Sequence, residues 1–210
     1  MSLSGQIDRL DVRRDNGTDW IRVVDYKTSD HQLDLTLLSE GLQLQLFTYL
    51  DVALERARRA GRAAMPGGLY YAGLTEKWLK DDGEDAALLQ EKLLKDYRLS
   101  GMTAAEVADI STDVDLSQRG AAKVFPAEAL GSICRYIREK EIGLGREILD
   151  GRIDADPVGD AYSPCTYCEF RSICRFDRRI PGMKPRTIRK VKRDEFAEII
   201  GLAEEKEAES

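Results

Sequence analysis

Asp8, Asp25 and Lys27 are the residues of this chain whose types and spacing suit chemistry on a phosphodiester. Paired carboxylates offer hard oxygen ligands of the kind that magnesium or manganese prefers. Such an ion activates water and neutralises the charge that builds on an attacked phosphate. Lys27, two positions past Asp25, could orient the water, move a proton or stabilise the pentacovalent state. The backbone carbonyl of Tyr26 could complete the ligand set. Spacing alone also describes an ordinary salt bridge of Asp25 or Asp8 with Lys27 or Arg9.

The elements that must position these side chains are two strands, Gln6–Arg13 and Trp20–Thr28, around the turn Asp15-Asn16-Gly17-Thr18. Asn-Gly between alternating segments is a strong hairpin signal. Alternation puts Asp8 on the face of Leu10 and Val12, and Asp25 and Lys27 on the face of Ile21 and Val23. Charges on apolar faces are costly unless compensated. A two-residue turn at Asn16-Gly17 pairs Asp8 directly with Asp25, a repulsive contact that a cation held between them would reverse. A loop longer by two residues makes the pair diagonal but leaves both carboxylates on one face.

Further along, Leu35 to Ala60 carries apolar residues at helical spacing and stops at Gly61. Gly68–Leu74 follows the Pro66-Gly67 turn as a short buried strand. Lys77–Asp115 is acidic and mostly helical, with Leu88-Leu89 and Leu93-Leu94 suited to lie over a core. Ala127 to Gly151 is a long helix, Pro157–Pro185 is rich in loops, and Glu195–Glu207 is a frayed terminal helix. With 210 residues, one domain with tails is expected. No apolar run reaches the ~18 residues of a membrane span, and the amino end is too short and polar for a signal peptide. Met1-Ser2-Leu3 runs straight into motif-dense sequence, as expected of a piece of a longer polypeptide.

A net charge of −6 argues against a protein that coats nucleic acid. Its distribution argues otherwise. From Arg171 to Arg193 the basic residues, beginning with Arg171, Arg175, Arg178 and Arg179, stand against Asp177 alone. Such a strip suits either DNA contact or a solvated basic tail.

Cys165, Cys168 and Cys174 crowd into a C-x2-C-x5-C pattern, which suggests a metal or cluster site in a reducing compartment. Iron–sulfur and zinc both take thiolates. Cys134 lies inside a helical pattern with Leu130, Ile133 and Ile137, the setting of a buried apolar thiol.

Taken together, Gly5-Gln6-Ile7-Asp8-Arg9-Leu10-Asp11 and Val24-Asp25-Tyr26-Lys27-Thr28 resemble the second and third motifs of the PD-(D/E)XK nucleases, RecB branch. Gly41 to Tyr49 resembles that branch's Q-x-x-x-Y motif, in which Gln45 and Tyr49 share a helical face. The resemblance implies Asp8 and Asp25 as metal ligands with the carbonyl of Tyr26, Lys27 as the catalytic lysine, and Gln45 and Tyr49 completing the site. It leaves Arg9 and Asp11 as structural or near the DNA. The cysteine pattern resembles the last three ligands of the [4Fe–4S] cluster of AddB-like nucleases. The family's fourth cysteine and its first motif, a His or Glu, would both precede Gly5. His31 is then a loop residue, and the isolated chain is expected to hold an incomplete cluster or none and to cut weakly or not at all.

The implied fold is α/β and restriction-endonuclease-like: a small mixed sheet flanked by helices, with a helical insertion and a cysteine-rich carboxy-terminal loop. Residues 1–176 would form the nuclease core, divided into the motif-bearing sheet and helix (5–75), the insertion (76–125), a long helix (126–162) and the cluster segment (163–176). Residues 177–210 would be a basic linker and helix. The implied activity is Mg2+-dependent DNA cleavage beside an AddA-like motor, in the cytoplasm, with ends resected for recombination. Two other expectations fit less: a CRISPR-adaptation-type iron–sulfur nuclease, whose compactness disfavours an insertion at Lys77–Asp115, and a non-catalytic DNA-end-binding module, which intact Asp8, Asp25 and Lys27 disfavour.

Overall fold

The computed structural model describes residues 2–29, 31–74, 85, 87–90, 99–114, 116, 122–159 and 164–202. β1 (Arg9–Asp15) and β2 (Thr18–Lys27) form the expected hairpin. Asn16 and Gly17 both have positive φ, 47° and 80°, the geometry of a type I′ turn, which matches the twist of the flanking strands. The ladder runs from Arg9↔Val24 to Asp15↔Thr18, the register expected of a two-residue turn. One expectation fails here. Leu10 and Val12 are 43% and 46% exposed, so the face that β1 shares with Asp8 is not core. β1 is the edge of the sheet, and its arginines and aspartates give it the charged character by which edges resist unwanted pairing.

β3 (Ala63–Gly73) runs parallel to β2, β4 (Ser100–Ala104) antiparallel to β3, and β5 (Ala122–Phe125) parallel to β4. The order is β1-β2-β3-β4-β5, a mixed sheet. Ser100–Ala104 and Ala122–Phe125 correct the helical reading of 76–125. Residues 87–90 are helical, but the later part of that stretch completes the sheet, and Ala105–Ile110 is a 3-10 turn. Ser-Gly-Met-Thr-Ala has little intrinsic strand preference; burial of Met102 and Thr103 against β3 makes it a strand. Leu93-Leu94 lies outside the described residues.

The crossover from β2 to β3 contains α1 (Leu35–Ser39) and α2 (Gln45–Arg59), not the single helix expected over Leu35–Ala60. Gly41, at φ 80°, breaks it. Gln43 then braces the junction, accepting from Asp34 N (2.9 Å) and donating to Gln32 O (3.0 Å). α2 buries Leu46, Phe47, Leu50, Ala53, Leu54 and Ala57 against Ile21, Val23, Leu69 and Met102 on the sheet and against α3 (Ala127–Leu149). Asp51 and Arg138 clamp α2 to α3 through two short hydrogen bonds (2.6 and 2.7 Å). Val24, Tyr70, Ala72, Leu99 and Val114 form a smaller cluster on the other face of the sheet.

α4 (Arg171–Cys174) is a single turn within the loop-rich region. α5 (Arg193–Ile199) is docked rather than frayed: Phe196 is buried in the main core and Val191 N donates to Thr36 Oγ1 (3.0 Å). Residues 203–207 of the expected terminal helix lie outside the described residues. No helix among the described residues is long and apolar enough to cross a membrane.

Candidate active site

Asp25 sits near the carboxyl end of β2, between β1 and β3, with only 4% of its surface exposed. Asp8 stands one residue ahead of the β1 ladder. It does not pair across the strands; its Oδ2 accepts a hydrogen bond from Tyr26 N (2.9 Å). That bond ties the Asp8 carboxylate to the peptide that follows Asp25. Lys27 Nζ lies 2.5 Å from Asp25 Oδ2. Despite that closeness, Oδ2 is buried with no donor aligned to it among the described residues.

Lys27 is held from two further sides. It donates to Gln45 Oε1 (3.0 Å), whose amide nitrogen in turn donates to Tyr49 OH (3.1 Å). The shared helical face of Gln45 and Tyr49 is therefore a hydrogen-bonded relay that ends on the lysine. The Lys27 ammonium also lies 5.7 Å from the centre of the Tyr71 ring, within cation–π range. Tyr71 is the β3 partner of Asp25. Burial, then the Asp25 charge, pushes its phenol up to about 12. The amino-terminal segment closes over this relay at Gly5, where a Cβ would come 3.1 Å from the Tyr49 ring.

Arg9 and Asp11 belong to a different network. Asp11 accepts from Arg9 (3.0 Å) and Arg22 (2.8 Å), and Arg22 makes a two-pronged pair with Asp113 (2.9 and 2.7 Å). Burial opposes ionisation of Asp11, but the two arginines hold its carboxyl below the usual range. Hydrogen bonding to Arg22 lowers Asp113 likewise.

Cys165, Cys168 and Cys174 are free thiols lining one cavity of about 770 Å3, together with Arg171, Arg175, Arg178 and Arg179. Thus the four arginines expected to touch DNA surround the thiols. Arg179 is already paired with Asp177 (2.6 Å). Among the described residues no three His, Cys, Asp or Glu side chains are drawn together tightly enough to hold an ion, so the thiols share a cavity without converging. Cys134 is 2% exposed within the core. Burial, then the Asp51 charge, pushes its thiol up to about 12.

A model of the PD-(D/E)XK nuclease superfamily matches residues 1–175. The chain belongs to that superfamily. Its PD-(D/E)XK region is also similar to proteins named as a subunit of an ATP-dependent helicase/deoxyribonuclease. The one from Listeria welshimeri serovar 6b is 31% identical over 197 residues, covering 83% of this chain and 17% of the relative. The one from Bacillus thuringiensis (strain Al Hakam) is 29% identical over 223 residues, covering 95% and 19%. The chain therefore spans less than a fifth of the length of these relatives.

Sequence reasoning for this PD-(D/E)XK chain gave Tyr71 no role and used Gly5 and Pro164 only to bound motifs. Pro164 lines the same cavity as Lys27, His31, Gln45 and Tyr71. His31, expected as a loop residue, is one, but its ring packs 5.6 Å from that of Tyr71. The signal for Tyr71 was its place in a buried apolar strand; its pairing with Asp25 depends on the length of the crossover, which the sequence does not display.

Proposed function

We propose that this chain supplies the strand-cutting site of a longer helicase–nuclease subunit, hydrolysing DNA phosphodiester bonds while an AddA-like partner unwinds the duplex. In this reading it works in the cytoplasm on broken ends destined for recombinational repair. The observation that carries it is the buried Asp25 carboxylate, whose Oδ2 has no aligned donor although Lys27 lies beside it. An oxygen so placed suits a hard cation. With Asp8 and the Tyr26 carbonyl it gives the few protein ligands that magnesium, which keeps several waters, requires. A bound Mg2+ or Mn2+ supplies Lewis acidity and charge neutralisation at the phosphate.

The chain's own residues do the rest. Asp8 is oriented by Tyr26 N. Lys27, steadied by Gln45 and by the Tyr71 ring, presents positive charge where the attacked phosphate gains negative charge. Tyr49 fixes the Gln45 amide so that its oxygen faces the lysine. The arginines beside the cysteines offer phosphate contacts for the strand.

Cys165, Cys168 and Cys174 fit three corners of a [4Fe–4S] cluster by chemistry and by sharing one cavity. Cys134 does not fit the fourth, being buried on α3 with its thiol held protonated. In this reading the fourth ligand comes from outside the residues of this chain.

The test is cleavage of single-stranded DNA by the full-length protein with its motor partner, in Mg2+ or Mn2+, comparing wild type with Asp25→Ala. Abolished cleavage in the variant is expected; equal activity in the two overturns the assignment.

A further inference from the structure

Beside Lys27 lies a cavity of about 590 Å3 whose walls include His31, Tyr71, Leu42, Gln45 and Pro164. We propose that it seats one unstacked nucleobase of a single DNA strand, next to the phosphate that is cut. The inference rests on the strand-cutting reading and names what that site takes beyond the scissile bond.

The size falls within the roughly 300–1,000 Å3 of sites for small ligands. Lys27 and Gln45 form one wall, so whatever enters abuts the proposed reacting phosphate. The same cavity offers an exposed aromatic surface held in place. His31 Nδ1 is fastened to Ser29 O (3.0 Å) and Ser29 Oγ (3.2 Å), its ring leans on Tyr71, and its carbonyl accepts from Ser100 Oγ of β4 (3.0 Å). Leu42, 44% exposed, adds an apolar wall. An exposed ring restrained by Ser29 and by Tyr71 loses little freedom when a base stacks on it.

The two glutamine amides of the cavity are already engaged. The Gln43 amide is bonded at both ends to backbone and the Gln45 amide to Lys27 and Tyr49. The His31 and Tyr71 rings and Leu42 offer stacking and apolar contact, which accepts any base. A base paired in duplex DNA is stacked on both faces and cannot enter without being extruded. The seat is therefore selective for single strands and tolerant of sequence.

The experiment uses the full-length protein with its motor partner in EDTA, where nothing is cut. Single-stranded oligonucleotides carry 2-aminopurine at each terminal position in turn. Quenching at one position is expected with wild type, its loss with His31→Ala, and its retention with His31→Phe, which keeps a ring. The affinity of the oligonucleotide falls roughly tenfold with His31→Ala. If no position distinguishes wild type from His31→Ala, the seat is refuted. Cleavage in Mg2+ is measured in parallel, so a protein that stacks a base but cuts nothing fails the strand-cutting reading and not this one.

Discussion

Pro164, the residue before Cys165, lines the same cavity as Lys27. The cysteine-bearing segment and the lysine strand, far apart in sequence, thus share a wall. Whatever orders the cysteines also fixes one side of the space beside the lysine.

For the full-length protein purified without oxygen, we expect a visible absorbance band from the cluster. Cys168→Ser should remove it, because that thiol lines the cavity. Cys134→Ala should leave it, because that thiol is buried in the core. Loss of the band in both variants would return Cys134 to the ligand set, and zinc by elemental analysis in place of iron would change the metal.

Lys27→Met keeps much of the side-chain bulk and removes the charge. Cleavage should drop by about 10²–10⁴-fold. The buried Asp25 also loses its nearest cation, so urea unfolding without metal should show a loss of about 1–3 kcal/mol. Unchanged cleavage would leave Lys27 as a structural partner of Asp25 alone.

Stability should fall as the solution turns alkaline. Burial raises the Cys134 thiol from 9.0 to about 12 and the Tyr71 phenol from 10.0 to about 12. Both acids are neutral when protonated, so below about pH 9 the folded and unfolded chains hold the same protons at these sites. Between about 9 and 12 the unfolded chain releases protons that the folded chain keeps, and folding is disfavoured as pH rises. Melting temperature across that range measures the slope. Cys134→Ala should flatten its early part.

Gly101→Ala tests the joint between β3 and β4. Gly101 has φ 157° and faces Tyr70 across the ladder. A Cβ there would lie 2.0 Å from the Leu69 carbonyl oxygen, a backbone atom that cannot rotate away. Destabilisation of about 3 kcal/mol or more is expected, measured by chemical denaturation. A smaller loss would mean that β4 can shift without unpairing.

The hairpin was legible in the sequence because Asn16-Gly17 is a local signal and alternation is read off directly. So was the shared face of Gln45 and Tyr49, one helical turn apart, although the bond from Lys27 to Gln45 was not. The helix expected over Leu35–Ala60 was harder, because its apolar spacing continues through Gly41 while the backbone does not. β4 was illegible: Ser100–Ala104 becomes a strand only when β3 presents an edge to it. Tyr71 was hidden for the same reason, as its role arises from pairing with Asp25 across a parallel crossover.

Hairpin tips are ordinarily where a protein absorbs inserted and deleted residues most freely. The Asn16-Gly17 tip is different, because it counts out the distance to Asp8. One added residue there would shift the β1 register by a step and turn every β1 side chain to the opposite face, Asp8 with them. The tip is thus a molecular ruler for a carboxylate some distance along the strand. Over evolutionary time its length should be held as firmly as the acid it measures, though it touches no part of the site.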